Sequence, residues 1–165
     1  MMQGAKKVLV AAAALAMMGI GAASADIAEA EKLYASGDHK AALERYVATG
    51  GEGDIEATFR AAQMFESGQG TVGGEPRYGK AVSWYQAAAR GGHLGALKKL
   101  AGMFAEGRGV DEDKVQAWTL LNIAAEKGDN EAAQMRDQLA NDMRPGQVAA
   151  GQRRTQKLAP KYQGS

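Results

Sequence analysis

Gly68-Gln69-Gly70-Thr71-Val72-Gly73 carries the letters of a phosphate cradle, in which glycines let backbone N–H groups approach a dinucleotide's pyrophosphate. That chemistry needs a strand before the loop and a helix opening inside it. Here helical periodicity runs up to Gly68, and Gly68-x-Gly70 recurs as Gly107-x-Gly109. The stretch therefore reads as a connector between helices, and no cofactor is assigned to it. His39 and His93 each follow a glycine turn at the start of a predicted helix, where both are expected to face solvent. The chain has no cysteine, so the two histidines leave no closely spaced set of three or four zinc ligands. Asp111-Glu112-Asp113 lacks the alternating spacing and turn glycine of a calcium loop. Acids there suit the first turn of a helix, where the backbone dipole favours them. No serine stands in an S-x-x-K context, and nothing places a base beside a nucleophile. No catalytic or metal-binding residue is assigned.

Charge gives one further candidate. From Met143 to Ser165 the chain holds Arg144, Arg153, Arg154, Lys157 and Lys161 and no acid, a net +5, whereas Asp26 to Asp142 has 13 basic and 19 acidic residues, a net −6. Arg153, Arg154 and Lys157 sit beside Val148, Leu158 and Tyr162. They read either as the solvated outer side of a closing helix or as a surface drawn weakly to an acidic partner or an anionic membrane. Nucleic acid is not an expected partner.

The elements behind these residues are helices. From Asp26 onward no period-2 run of β-branched residues occurs, and alanine recurs at helical spacing. Eight helices are predicted, at 26–36, 39–48, 54–67, 77–90, 93–106, 112–127, 129–142 and 145–158, in four pairs. Gly37, Gly50-Gly51, Gly68, Gly91-Gly92, Gly107 and Gly128 stand where helices must stop. Asp38, Asp54, Asp111 and Asp129 stand where N-caps are needed, and Pro76 and Pro145 near first turns. Before them, Lys6 and Lys7, an apolar run from Val8 to Ala23, and Ala23-Ser24-Ala25 have the form of a secretory signal peptide cleaved before Asp26. This implies a periplasmic or secreted protein.

A pattern also occurs twice. Met64-Phe65-x-x-Gly68-x-Gly70 returns as Met103-Phe104-x-x-Gly107-x-Gly109. The first copy is followed by Ala81, Trp84, Tyr85, Ala88, Ala89 and Gly92, the second by Ala117, Leu120, Leu121, Ala124, Ala125 and Gly128. Ala81, Trp84, Tyr85, Ala88 and Ala89 form one apolar helix stripe, with Trp84 expected in the core. Ala57 to Ala96 spans 39 residues and Ala96 to Ala132 spans 36, and the extra length falls in the loop from Gly70 to Arg77. Such periods mark stacked repeats, which bury together what no single unit can bury alone.

These residues resemble the Sel-one-like repeat family, relatives of tetratricopeptide repeats. Ala96, Leu100-Ala101, Phe104, Gly107-x-Gly109-Val110, Asp113, Ala117, Leu121, Ala124-Ala125 and Gly128 carry the likeness. The preceding unit departs from it with Ala61-Ala62 and a longer loop, and Gly37-Asp38 through Tyr46 looks more like a tetratricopeptide half-repeat. The resemblance implies an all-α fold, a short α-solenoid of antiparallel helix pairs. Its expected parts are a signal peptide at 1–25, a degenerate first pair at 26–56, repeats at 57–95 and 96–131, a capping pair at 132–158 and a flexible tail at 159–165. It also implies a concave face that binds a protein or peptide partner, in a non-catalytic adaptor, scaffold or regulator. By tetratricopeptide geometry the second, fifth, ninth and twelfth positions of each first helix line that face. These are Glu56, Phe59, Gln63 and Glu66 in one unit and Gly95, Lys98, Gly102 and Ala105 in the next, with the two glycines leaving room for a peptide backbone. Two other readings stay open: a cell-wall-directed hydrolase of β-lactamase type, and an envelope assembly or structural factor using its basic C-terminal tail. Partner identity and oligomeric state are open as well.

Overall fold

The computed structural model describes residues 26–164, and the leader expected at 1–25 lies outside them. The described residues hold eight α-helices and no strand. The first, α1, covers 26–35 in the described part. It is followed by α2 (His39–Gly51), α3 (Ile55–Ser67), α4 (Tyr78–Arg90), α5 (Leu94–Glu106), α6 (Lys114–Glu126), α7 (Asn130–Asn141) and α8 (Pro145–Leu158). Short 3-10 turns occupy Val72–Gly74 and Ala159–Tyr162. From α2 to α7 each helix packs on the next, in the all-α repeat architecture that the sequence implies. No described helix is long and apolar enough to cross a membrane.

Capping explains where the helices begin. Asp38, Asp54, Asp113 and Asp129 each accept a hydrogen bond from the backbone N–H three residues on, at 2.8–3.1 Å. Asp113, not Asp111, caps α6, so the acidic run contributes its last member and the helix starts two residues later than predicted. The core alternates small and large side chains. Ala57, Ala61, Ala62, Ala81, Ala88, Ala89, Ala96 and Ala117 are buried and let helices approach, while Tyr85, Leu97, Leu100, Met103, Leu120 and Ile123 fill the space between them.

Three expectations change. Trp84 is only half-buried, tilted against Phe65 at 6.1 Å, and Tyr85 is the fully enclosed aromatic of α4. The apolar stripe is centred one residue further round the helix than its spacing suggested. The predicted final pair is not a tight hairpin, because α8 makes its main contact with α6 rather than α7. Gly151 permits this, since a Cβ there would lie 2.5 Å from Cε3 of the buried Trp118 ring. A cleft of about 630 Å³ remains among α6, α7 and α8. Finally, the expected flexible tail turns back on the fold. Ala159–Tyr162 is helical, Tyr162 is buried, and Gly164 lies against the backbone of Gly91 and Gly92.

The repeated glycines acquire a reason here. Gly70 and Gly109 both have positive φ, +75° and +74°. A Cβ on Gly70 would meet the His39 carbonyl oxygen at 2.2 Å, and one on Gly109 would meet the Tyr78 backbone at 2.6 Å. His39 and Tyr78 are the first residues of α2 and α4, so in each unit the second glycine is where a loop presses on the start of the preceding second helix. The Gly-x-Gly motif is a stacking device.

Candidate partner-binding face

Residues on the first helices, α1, α3, α5 and α7, share a face on which successive units are cross-linked. Glu66, at the twelfth position of α3, is drawn into the stack, its side chain 13% exposed. It accepts from Tyr85 Oη at 2.6 Å and from Arg108 Nη1 at 3.0 Å, and Lys99 Nζ lies 3.6 Å away. Burial first, and then the hydrogen bond and charge of Glu66, push the Tyr85 phenol well above its ordinary range. Glu56 pairs with Arg60 at 2.9 Å and with His93 Nε2 at 3.2 Å.

His93 is not the solvent-facing residue that was expected. It is the N-cap of α5, its Nδ1 accepting from Ala96 N–H at 3.1 Å, and its ring stacks on Phe59 at 4.0 Å. Histidine does here what Asp54 does at α3 and Asp129 at α7. His39 is also partly buried, tilted against Tyr34 at 4.9 Å. Phe59 touches Tyr85 on its other side, at 5.7 Å. These contacts also take up the room expected at Gly95, where a Cβ would sit 3.0 Å from the His93 ring and 3.3 Å from Phe59. Gly102 does open onto free space, with nothing within 4 Å of an added Cβ. Lys98, at the fifth position of α5, is held by Asp129 at 3.0 Å and by Glu131. The Glu131 hydrogen bond leads in raising its ammonium pKa against the opposing effect of burial, with Asp129 adding to it.

Phe59, Glu66 and Lys98 thus join units to one another, while Glu56 joins α3 to the start of α5. Gln63 stays available. It lines a pocket of about 100 Å³ with Tyr34, Tyr46, Arg60, Met64 and Gln69. Tyr34 is 39% exposed there and donates to Gln69 at 2.9 Å. The sequence reading missed Tyr34, and it missed the exposed sixth positions of α3 and α5, Arg60 and Lys99. A sixth-position cation in both units was a visible signal. The inward turn of the fifth and twelfth positions was not, because it depends on partners far along the chain.

In the basic segment, Arg154 is committed to α6, with Nη1 at 2.8 Å from Asp113 and 3.2 Å from Gln116. Burial alone would raise the Asp113 carboxyl, but Arg154 and the backbone N–H groups of Gln116 and Val115 outweigh it and hold the carboxyl below its usual range. Arg153 and Lys157 are exposed and have no ion pair among the described residues.

A model of the Sel1 repeat matches residues 9–37, 55–93 and 95–129, more than half of the chain. The second match spans α3 with α4, and the third α5 with α6. The first lies mostly outside the described residues and ends beyond α1. Among solved structures, c5321, a protective antigen present in uropathogenic Escherichia coli strains and displaying an SLR fold, superposes with a TM-score of 0.77 at 23% identity, over 85% of this chain and 30% of that one. A Sel1 repeat protein from Oxalobacter formigenes superposes with a TM-score of 0.57 at 28% identity, over 67% of this chain and 46% of that one. The chain thus spans less than half the length of either. No curated protein matches it.

Proposed function

Because the chain belongs to the Sel1 repeat family, whose members are generally scaffolds for protein–protein interaction, we propose that it is an exported, non-catalytic adaptor that holds an extended segment of a partner protein along the first-helix face. The observation that carries this is the contrast within the face. Phe59, Glu66 and Lys98 spend their side chains on neighbouring units, which fixes the helices relative to one another. Tyr34, Arg60, Gln63 and Lys99 remain partly or wholly open on that braced surface, beside the free space at Gly102. A surface that needs no rearrangement before binding loses less conformational entropy when a partner arrives. Its mixture of amide, hydroxyl and cationic groups suits a peptide backbone with acidic side chains.

The test is affinity capture from an envelope extract, with the partner identified by mass. Gln63→Glu and Lys99→Glu are the informative variants, since both positions are accessible and each sets an acid where acidic side chains would bind; because Lys99 Nζ lies 3.6 Å from Glu66, an unchanged urea midpoint is required of Lys99→Glu. Each should reduce capture by about tenfold or more. Recovery of the same protein by wild type and both variants alike would refute the reading. The exported location rests on Lys6, Lys7, the apolar run and Ala23-Ser24-Ala25. Protein recovered from its native cell should begin at Asp26, and an N-terminus retaining those residues would remove that part of the proposal. The exposed Arg153 and Lys157 support a second reading, attachment to an anionic envelope surface. It predicts salt-sensitive co-sedimentation with membranes that Arg153→Glu together with Lys157→Glu abolishes.

A further inference from the structure

Val72 is 85% exposed, far more than any other large apolar side chain among the described residues. Its loop is well braced. Thr71 Oγ1 lies 2.8 Å from Gly68 O and 2.7 Å from Glu75 O, with its one O–H shared between them, Gly74 N–H donates to Thr71 O at 3.0 Å, and Arg77 N–H reaches back to Phe65 O at 2.7 Å. Arg77 Nη2 adds a bond to Val72 O at 3.3 Å. The apolar residue is therefore held in water by a fixed backbone. Beside it lies a pocket of about 270 Å³ with Leu43 and Phe65 in its floor and Thr71, Arg77 and Lys80 at its wall. Lys80 Nζ stands 5.3 Å over the Phe65 ring. Neither Arg77 nor Lys80 has an ion pair among the described residues, and no acid lines the pocket.

The corresponding loop of the next unit differs in both respects. Val110, at the end of its Gly-x-Gly-Val, packs against the core, and the adjoining hollow is lined by Asp111 and Asp113. Val110 directly follows its second glycine, the place Thr71 takes in the longer loop, and Val72 stands one residue beyond it, in water. We propose that the loop edge formed by Leu43, Phe65, Val72, Arg77 and Lys80 is a second docking surface, for a peptide segment carrying a large apolar residue next to one or more carboxylates. The apolar side chain enters between Leu43, Phe65 and Val72. The carboxylates meet Arg77 and Lys80, which have no ion pair among the described residues. This surface shares no residue with the first-helix face.

A phage-displayed library of random dodecamers, selected on the immobilised chain, tests the assignment. Enriched peptides should place Asp or Glu beside a large apolar residue and bind less tightly at high salt. They should lose about tenfold or more in affinity for Val72→Ser and for Lys80→Glu, and bind Lys99→Glu as well as wild type. Both changed positions are exposed, so folding is not at issue. Failure to enrich peptides, enrichment without acidic and apolar bias, or binding indifferent to Val72→Ser and Lys80→Glu would each overturn the proposal. Peptides sensitive to Lys99→Glu and Gln63→Glu alone would overturn it while leaving the first-helix face as the partner site.

Discussion

Tyr85 shows how a residue in an alanine-rich stripe can hold two units together. Its hydroxyl reaches Glu66 at 2.6 Å, and Glu66 continues to Arg108, 42 residues further along the chain. Tyr85→Phe keeps the ring and removes the bond to a mostly buried carboxylate, so urea unfolding should show a loss of about 1.5–3 kcal/mol. A phenol with a raised pKa adds stability that is complete below its ordinary 10.0 and declines as pH rises above that value. The carboxylates act in the opposite direction. Asp129, like Asp113, is held below its usual 3.8, since the Ala132 N–H and Lys98 outweigh the raising effect of burial. Their contribution is present above pH 3.8 and is lost as pH falls through the depressed values. Urea midpoints followed downward from pH 5 should fall less steeply for Asp113→Asn and Asp129→Asn than for wild type. The roles of these residues were unevenly legible in the sequence. Caps are local, so Asp38, Asp54 and Asp129 could be read directly, whereas in the run Asp111-Glu112-Asp113 the first acid was taken for the cap and the last one is. Phe59, Glu66 and Lys98 were assigned to an open face from helical position alone, and the partners that enclose them, His93, Arg108, Asp129 and Glu131, lie more than 30 residues away in sequence.

Among the elements, the loops and the last helix set the spacing of the stack. The second glycine of each Gly-x-Gly lies against the first residue of the preceding second helix, so it combines backbone strain with close approach. Gly109→Ala should cost about 2–4 kcal/mol by denaturant unfolding, from a left-handed φ plus a collision with the Tyr78 backbone. Gly128→Ala has the strain without the collision and should cost about 1 kcal/mol. At the closing end, Gly151→Ala improves helix propensity yet forces a methyl into the Trp118 ring. It should lower stability by about 1–3 kcal/mol and alter the near-ultraviolet signal of that indole. Helix number and most boundaries followed from glycine punctuation and alanine spacing. The preference of α8 for α6 did not, because it arises from one glycine fitting one indole 33 residues earlier. The return of Tyr162 to α4 was hidden in a segment whose charge suggested only a solvated end.

Taken as one molecule, the chain has a cross-linked first-helix face, a loop edge with an uncovered valine and cationic side chains, and a basic closing helix whose outer side is open. Membership of the Sel1 repeat family accounts for the stacking. The side chains left over after stacking identify the faces available to partners. The most direct measurement is site-specific photocrosslinking in the native cell. A benzophenone amino acid is placed in turn at Gln63 and Lys99 on the first-helix face, and at Glu52 and Lys127, exposed residues outside both proposed surfaces. The account predicts a discrete adduct with the same protein from Gln63 and Lys99 and none from Glu52 or Lys127. Adducts from Glu52 or Lys127 with none from Gln63 and Lys99, or no adduct from any of the four, would contradict it.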